Sequence, residues 1–287
     1  MIAEPRERSA PACRLNRRQR SRLPLGPAAE RSRLPGILRA VIRSLGFALA
    51  LTLAAADYAR TVISDRRRLT VPRRALWSQR WGRILARVIG LRLHQHGTPP
   101  SSGMIVSNHL SYLDIIAYSA LVPCVFVAKK EVANWPILGL FARMAGTIFV
   151  DRTRRMRLVE TNLQIAEALH SGTVVVLFPE GTSSCGEKVL PFRSSLLDPA
   201  ILARCTVAPA AIRYQLDDGS VPDEVCYWRD MTLLPHLLNL FTKTAVRTDL
   251  AFELAAADPL RSSRKDAGQQ LHDQVSSLHA ALQGTSL

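Results

Sequence analysis

The sequence predicts an α/β protein: a single mixed, mostly parallel sheet flanked by helices, preceded by an N-terminal membrane-associated helical segment. Three observations predict it. From residue 91 onward, short apolar runs alternate with amphipathic stretches, the pattern of strands joined by helices. A long apolar stretch comes before them. The positive charge is concentrated in the same end: residues 1–100 hold 21 Arg against five acids, whereas residues 101–287 hold 17 basic and 18 acidic side chains. At 287 residues, 47% apolar and 21% charged, the chain can bury a sizeable core. Wholesale disorder, a collagen-like repeat and a disulfide-stapled miniature fold are excluded.

Residues 1–35 mix Arg, Pro and Ser and read as a disordered basic tail. The apolar stretch after it starts too late for a secretory signal. Residues 36–90 read as membrane-associated helices. The uninterrupted apolar part, Ser44 to Ala56, would span roughly 20 Å against a hydrocarbon core of roughly 30 Å. Arg39 and Arg43 could snorkel at one end, and Arg60 with Arg66, Arg67 and Arg68 flanks the other. The stretch is therefore a short tilted span or a helix lying in the interface. Next, Leu76, Trp77, Trp81, Ile84, Leu85, Val88 and Ile89 share a helix face opposite Arg73, Arg74, Arg80, Arg83 and Arg87. Trp and Arg in this arrangement suit the headgroup layer, and a core-packing helix is the alternative.

Residues 91–255 read as the α/β domain. Strands are predicted at Leu91–Gly97, Met104–Ser107, Pro123–Ala128, Thr147–Val150, Thr173–Phe178, Val207–Tyr214 and Ala245–Leu254. Helices are predicted at Tyr112–Leu121, Ile137–Ala145 and Arg154–His170. Residues 256–287 supply a C-terminal helix. The run Met231–Phe241 reads as core or as a wall for an acyl chain. Five cysteines without C-x-x-C spacing argue against a zinc ribbon, a redox motif or a disulfide framework.

Three polar islands interrupt the pattern at strand ends. Asn108-His109 follows the strand MIVS, with Asp114 five residues on. Asp114 is expected to fold back in the first helical turns and hold one nitrogen of His109, leaving the other free to take a proton. A satisfied polar pair is the plain alternative. The strand ending Gly146–Val150 leads into Asp151-Arg152, where Arg152 can grip a phosphate or carboxylate. The strand ending in Phe178 leads into Glu180-Gly181-Thr182, which sets a charge, a flexible backbone and a hydroxyl at the carboxyl edge of the sheet. A turn followed by a helix cap is the alternative there.

Together, N-H-x4-D, then G-x-I-F-V-D-R about forty residues on, then F-P-E-G-T, resemble the glycerolipid acyltransferase family, which includes the 1-acylglycerol-3-phosphate acyltransferases. Val207-Ala208-Pro209-Ala210-Ala211-Ile212 fits a fourth block, with Ala210 where the family often has Val. The likeness covers about residues 70–255. It implies transfer of a fatty acyl group from acyl-CoA or acyl-carrier protein to the free hydroxyl of a lysophospholipid, first of all 1-acyl-sn-glycerol 3-phosphate giving phosphatidic acid. His109 would be the general base and Asp114 its orienting partner. Glu180, Gly181 and Thr182 would shape the acceptor site, and Arg152 would bind the headgroup. N–H donors for the oxyanion are expected from the glycine turn or from the helix after His109. No metal or prosthetic cofactor is called for; the acyl donor is a co-substrate.

One position departs from the family. Where the third block commonly reads E-G-T-R, Ser183 stands in this chain. Arg193 in Leu190-Pro191-Phe192-Arg193 offers a substitute for the headgroup, a pattern similar to acyltransferases for lyso-ornithine lipids. A serine hydrolase is disfavoured by the lack of G-x-S-x-G, and a nucleophilic Cys185 by its acidic neighbours. His94 and His96 lack a third metal ligand in view. The competing class is a non-catalytic basic scaffold on a membrane or nucleic acid. Residues 1–33 lack interleaved aromatics, so no specific nucleic acid is expected. The expected location is the inner (cytoplasmic) membrane, with the catalytic domain facing the cytoplasm, since the acyl donor is cytosolic.

Overall fold

The computed structural model describes residues 33–64, 69–151, 155–198, 205–253 and 263–284. The basic tail read in the sequence lies, up to residue 32, outside the described residues, as does Arg152. Seven strands form one sheet: β1 (Leu91–His96), β2 (Met104–Ser107), β3 (Cys124–Lys129), β4 (Ile148–Val150), β5 (Val174–Leu177), β6 (Val207–Gln215) and β7 (Val246–Phe252). Their order is β1-β7-β6-β2-β5-β3-β4. Every pairing is parallel except β6 with β7, so β1 and β7 run against the other five. The sheet is mixed and mostly parallel, as its apolar, uncharged central strands predict.

Helices cover both faces. The longer ones are α1 (Arg33–Ser64), α2 (Val71–Ile89), α3 (Leu113–Leu121), α4 (Leu138–Met144), α5 (Arg155–His170), α6 (Leu233–Thr242) and α7 (Arg264–Gly284). On β5 the alternation is plain: Val174 and Val176 join the core layer shared with α3 and α6, while Val175 and Leu177 join the layer under α5 and α7. The run Met231–Phe241 thus contributes a helix. Pro235 sits in its first turn, where the missing N–H costs no helical bond.

The N-terminal helices are not alike. α2 is amphipathic but integral. Gly90 closes it at φ +90°, its N–H reaching Ala86 O at 3.0 Å. Gly82 allows close approach to α3, because a Cβ there would sit 2.9 Å from that of Ser119. Its arginines serve the protein: Arg74 donates to Arg143 O (2.9 Å) and Arg83 to Ala120 O (2.9 Å). The core-packing alternative therefore describes α2 better than the headgroup layer does.

α1 is a 32-residue helix, more than twice the uninterrupted apolar stretch. Its residues Pro35–Ser64 are long and apolar enough to cross a membrane. Arg39 and Arg43, expected to snorkel, instead donate to the carboxyl end of α6: Arg39 to Thr242 O (2.7 Å), Arg43 to Lys243 O (2.6 Å) and Thr244 O (3.0 Å). The physical reason is that the last carbonyls of a helix have no intrahelical partner and carry its negative dipole end. Further along, Asp57 of α1 accepts from Trp81 Nε1 of α2 at 3.0 Å. α1 is thus bound to the body near both ends. Its other face exposes Leu38, Ile42, Leu45, Leu49 and Leu53, each at least half accessible.

Candidate active site

β2 and β5 are neighbours with Val106 opposite Leu177, so their carboxyl ends lie level. The Asn-His and Glu-Gly-Thr islands leave those two ends and meet. β2 terminates on Asn108, whose side-chain amide mimics one more strand residue. Its Nδ2 donates to Ile212 O (3.0 Å), and its Oδ1 accepts from Ile212 N–H (2.9 Å). The chain then turns through His109 into α3, where Asp114 lies in the first turn.

Asp114 is fully buried and accepts four hydrogen bonds. The donors are His109 Nδ1 (2.6 Å), the N–H groups of Leu110 (2.7 Å) and Ser111 (3.1 Å), and Tyr214 Oη on β6 (2.6 Å). Three neutral donors around one carboxylate offset the desolvation of its charge. The fourth fixes the imidazole tautomer: Nδ1 holds the proton, so the Nε2 lone pair is free. Phe178 stacks on the ring at a centroid distance of 4.3 Å and an interplanar angle of 15°, which sets its plane. Burial, then the charge of Asp114, pushes the Tyr214 hydroxyl well above its ordinary value, so it remains a donor.

Glu180 sits behind this corner. Its Oε1 accepts the His109 N–H at 3.0 Å, and Leu190 N–H also donates to the carboxyl. It is buried, and its Oε2 has no partner among the described residues. Burial pushes its carboxyl up to about 8 against these donors, with Asp114 adding to the rise. Gly181 turns the chain at φ +70°, the left-handed region. Thr182 and Ser183 follow on the cavity wall.

The cavity, about 300 Å³, is lined by His109, the ends of β3, β4 and β5, the Gly181–Ser183 turn and Tyr227–Arg229. It shares Tyr112, Ile115, Val132 and Trp135 with an apolar chamber of about 180 Å³ that runs beneath Phe47 and Leu51 of α1 and Trp77 and Trp81 of α2.

The structure thus joins His109, Asp114, Gly181, Thr182 and the buried Glu180 at one corner. Glu180 does not face the cavity, and Arg193 does not line it either. Arg193 reaches the turn only through its backbone N–H to Pro179 O (2.9 Å), and its side chain is exposed. Asp151 takes Lys130 as a partner at 3.1 Å. The expected oxyanion donors are partly committed elsewhere: Leu110 and Ser111 N–H bind Asp114, and Gly181 N–H binds Phe178 O at 3.1 Å. The N–H groups of Thr182 and Ser183 make no hydrogen bond among the described residues. Sequence reasoning missed Tyr214, Lys129 and Arg229. Only Tyr214 left a signal, as the one aromatic side chain in its strand.

An imidazole at the carboxyl edge of the sheet thus opens on a slot that is polar at one end and apolar at the other, a shape suited to an amphiphile. Comparison with known proteins is specific. A family model described as Acyltransferase matches residues 91–213. The lyso-ornithine lipid O-acyltransferase of Brucella abortus is 33% identical over 220 residues, 71% of this chain and 82% of that one. The 1-acyl-sn-glycerol-3-phosphate acyltransferase of Neisseria meningitidis is 33% identical over 187 residues, 62% of this chain and 70% of that one. The crystal structure of the 1-acyl-sn-glycerophosphate acyltransferase of Thermotoga maritima superposes with a TM-score of 0.67 over 89% of this chain and 99% of that one. At 18% identity it shows the fold. The chain belongs to the acyltransferase family, and it is an O-acyltransferase.

Proposed function

We propose that the chain moves a fatty acyl group from an acyl-CoA or acyl-carrier-protein thioester to the free hydroxyl of a lysophospholipid, or of another lysolipid, at a membrane surface. The observation that carries this is the free Nε2 of His109 in a cavity that shares wall residues with an apolar chamber under the N-terminal helices. Nε2 takes the acceptor's hydroxyl proton as the oxygen attacks the thioester carbon. Asp114 steadies the imidazolium. The oxyanion is received by the N–H groups of Thr182 and Ser183. Collapse expels the thiolate, which recovers the proton from His109, and an ester and a free thiol leave. The outer face of α1 rests in the lipid interface, which brings the acceptor's hydroxyl to the depth of the cavity.

1-Acyl-sn-glycerol 3-phosphate is the first acceptor on this reading. Ser183 in place of Arg, and the greater coverage of the Brucella relative, favour lyso-ornithine lipid as the second. Purified protein offered both acceptors with an acyl-CoA should acylate at least one. His109→Ala should lower turnover about a thousandfold or more. Equal rates in the two proteins would refute the base.

A further inference from the structure

The cavity at His109 carries two cations outside the three polar islands: Lys129 at the end of β3, and Arg229 on the segment after β6. Arg229 holds φ +55°, in the left-handed region that side chains other than glycine avoid. Its segment is kept there by ties to the site. Tyr227 N–H donates to Leu110 O at 2.8 Å, and Ser183 Oγ donates to Tyr227 O. Trp228 Nε1 donates to Pro222 O at 2.9 Å, which fixes the indole. The first two ties end on the loops that carry His109 and Thr182, so the segment is placed relative to the reacting centre.

The guanidinium carbon lies 3.9 Å from the centroid of the Trp228 ring. Stacking limits its rotamers and leaves N–H donors for a ligand. Elsewhere arginines and lysines near carboxylates are neutralised, as Lys130 is by Asp151 and Arg247 by Asp249. Among the described residues Arg229 has no such partner. Ser183, which stands where a basic side chain would extend the Glu-Gly-Thr turn, instead uses its hydroxyl to hold the segment that presents one.

We propose that Arg229 grips the oxyanion group of the acceptor's headgroup, a phosphate or a carboxylate, and thereby sets which lysolipid is accepted. The assignment rests on the acceptor class proposed above. A guanidinium fork matches two oxygens of either group.

The test measures equilibrium binding of lysophosphatidate, lyso-ornithine lipid and acyl-CoA to the full chain in detergent, for wild type, Arg229→Gly and Arg229→Lys. Glycine adopts the local φ without strain, so that variant keeps its fold. Its Kd for at least one lysolipid should rise about tenfold or more, with acyl-CoA binding unchanged. Lysine should restore part of the loss. A rise confined to lysophosphatidate assigns phosphate, and one confined to lyso-ornithine lipid assigns carboxylate. Unchanged binding of both lysolipids, or weaker binding of acyl-CoA alone, overturns the proposal. Turnover is followed in parallel. A wild type that acylates neither lysolipid sinks the acceptor reading, while the binding comparison still decides Arg229.

Discussion

The corner around Asp114 and the outer face of α1 answer water in opposite ways. At the corner a carboxylate is stripped of solvent and given four protein donors in return. On α1, Leu38, Ile42 and Leu45 are 62%, 60% and 68% accessible, and no other described residue covers them. The first arrangement explains itself within the molecule: each polar contact fixes the next, ending at His109. The second does not, because a stripe of large apolar side chains is stable in water only at a cost. The difference separates what the fold needs for itself from what it keeps for its surroundings.

The most damaging way to break the comparison is at the corner. Asp114→Ala leaves two buried N–H groups and the Tyr214 hydroxyl without their acceptor and frees the imidazole. Turnover should fall about a hundred- to a thousandfold, and stability by about 3 kcal/mol or more. Denaturant melts and initial rates check both, and full activity would show that the carboxylate does not set the ring. On the other side, Leu38→Glu, Ile42→Glu and Leu45→Glu combined should weaken sedimentation with anionic liposomes by about a hundredfold. The melting temperature should move little, since each site is exposed. Undiminished liposome binding would mean that the stripe is not the lipid face.

The smallest effect sharpens the comparison at a corner carboxyl oxygen without a partner among the described residues, Glu180 Oε2. The carboxyl is raised from its ordinary 4.5 to about 8 in the folded chain, so folding favours its protonated form. Its contribution is fully present below about pH 4.5 and is lost as pH rises through about 8. Glu180→Gln cannot ionise and keeps an acceptor for the two N–H groups. Its stability should decline less between about pH 5 and 8, by up to about 3 kcal/mol. Parallel pH profiles of wild type and variant would show that Glu180 is not buried as a neutral acid.

Much of this was legible beforehand because the informative contacts are local. His109 and Asp114 are five residues apart, and the central strands announce themselves as short runs without charge. What stayed hidden depends on distant partners. Tyr214 meets Asp114 across 100 residues. Arg39 and Arg43 are about 200 residues from the carbonyls that hold them; in sequence they look like snorkelling ends because nothing local marks the end of α6. The reversal of β7 against β6 is equally silent, since alternation records burial and not direction. Arg193 has suitable chemistry, but its side chain is exposed and does not line the His109 cavity, a placement that nothing local in the sequence marks.

The clasp of Arg39 and Arg43 on α6 has a mechanical consequence. α6 also carries His236, whose Nδ1 lies 3.0 Å from Tyr112 Oη on the cavity wall. The helix meant for the lipid is therefore riveted to the chamber, with no slack tether between anchor and catalyst. On the proposed reading, the altitude of the imidazole above the bilayer is a fixed dimension of the protein, like the keel depth of a hull.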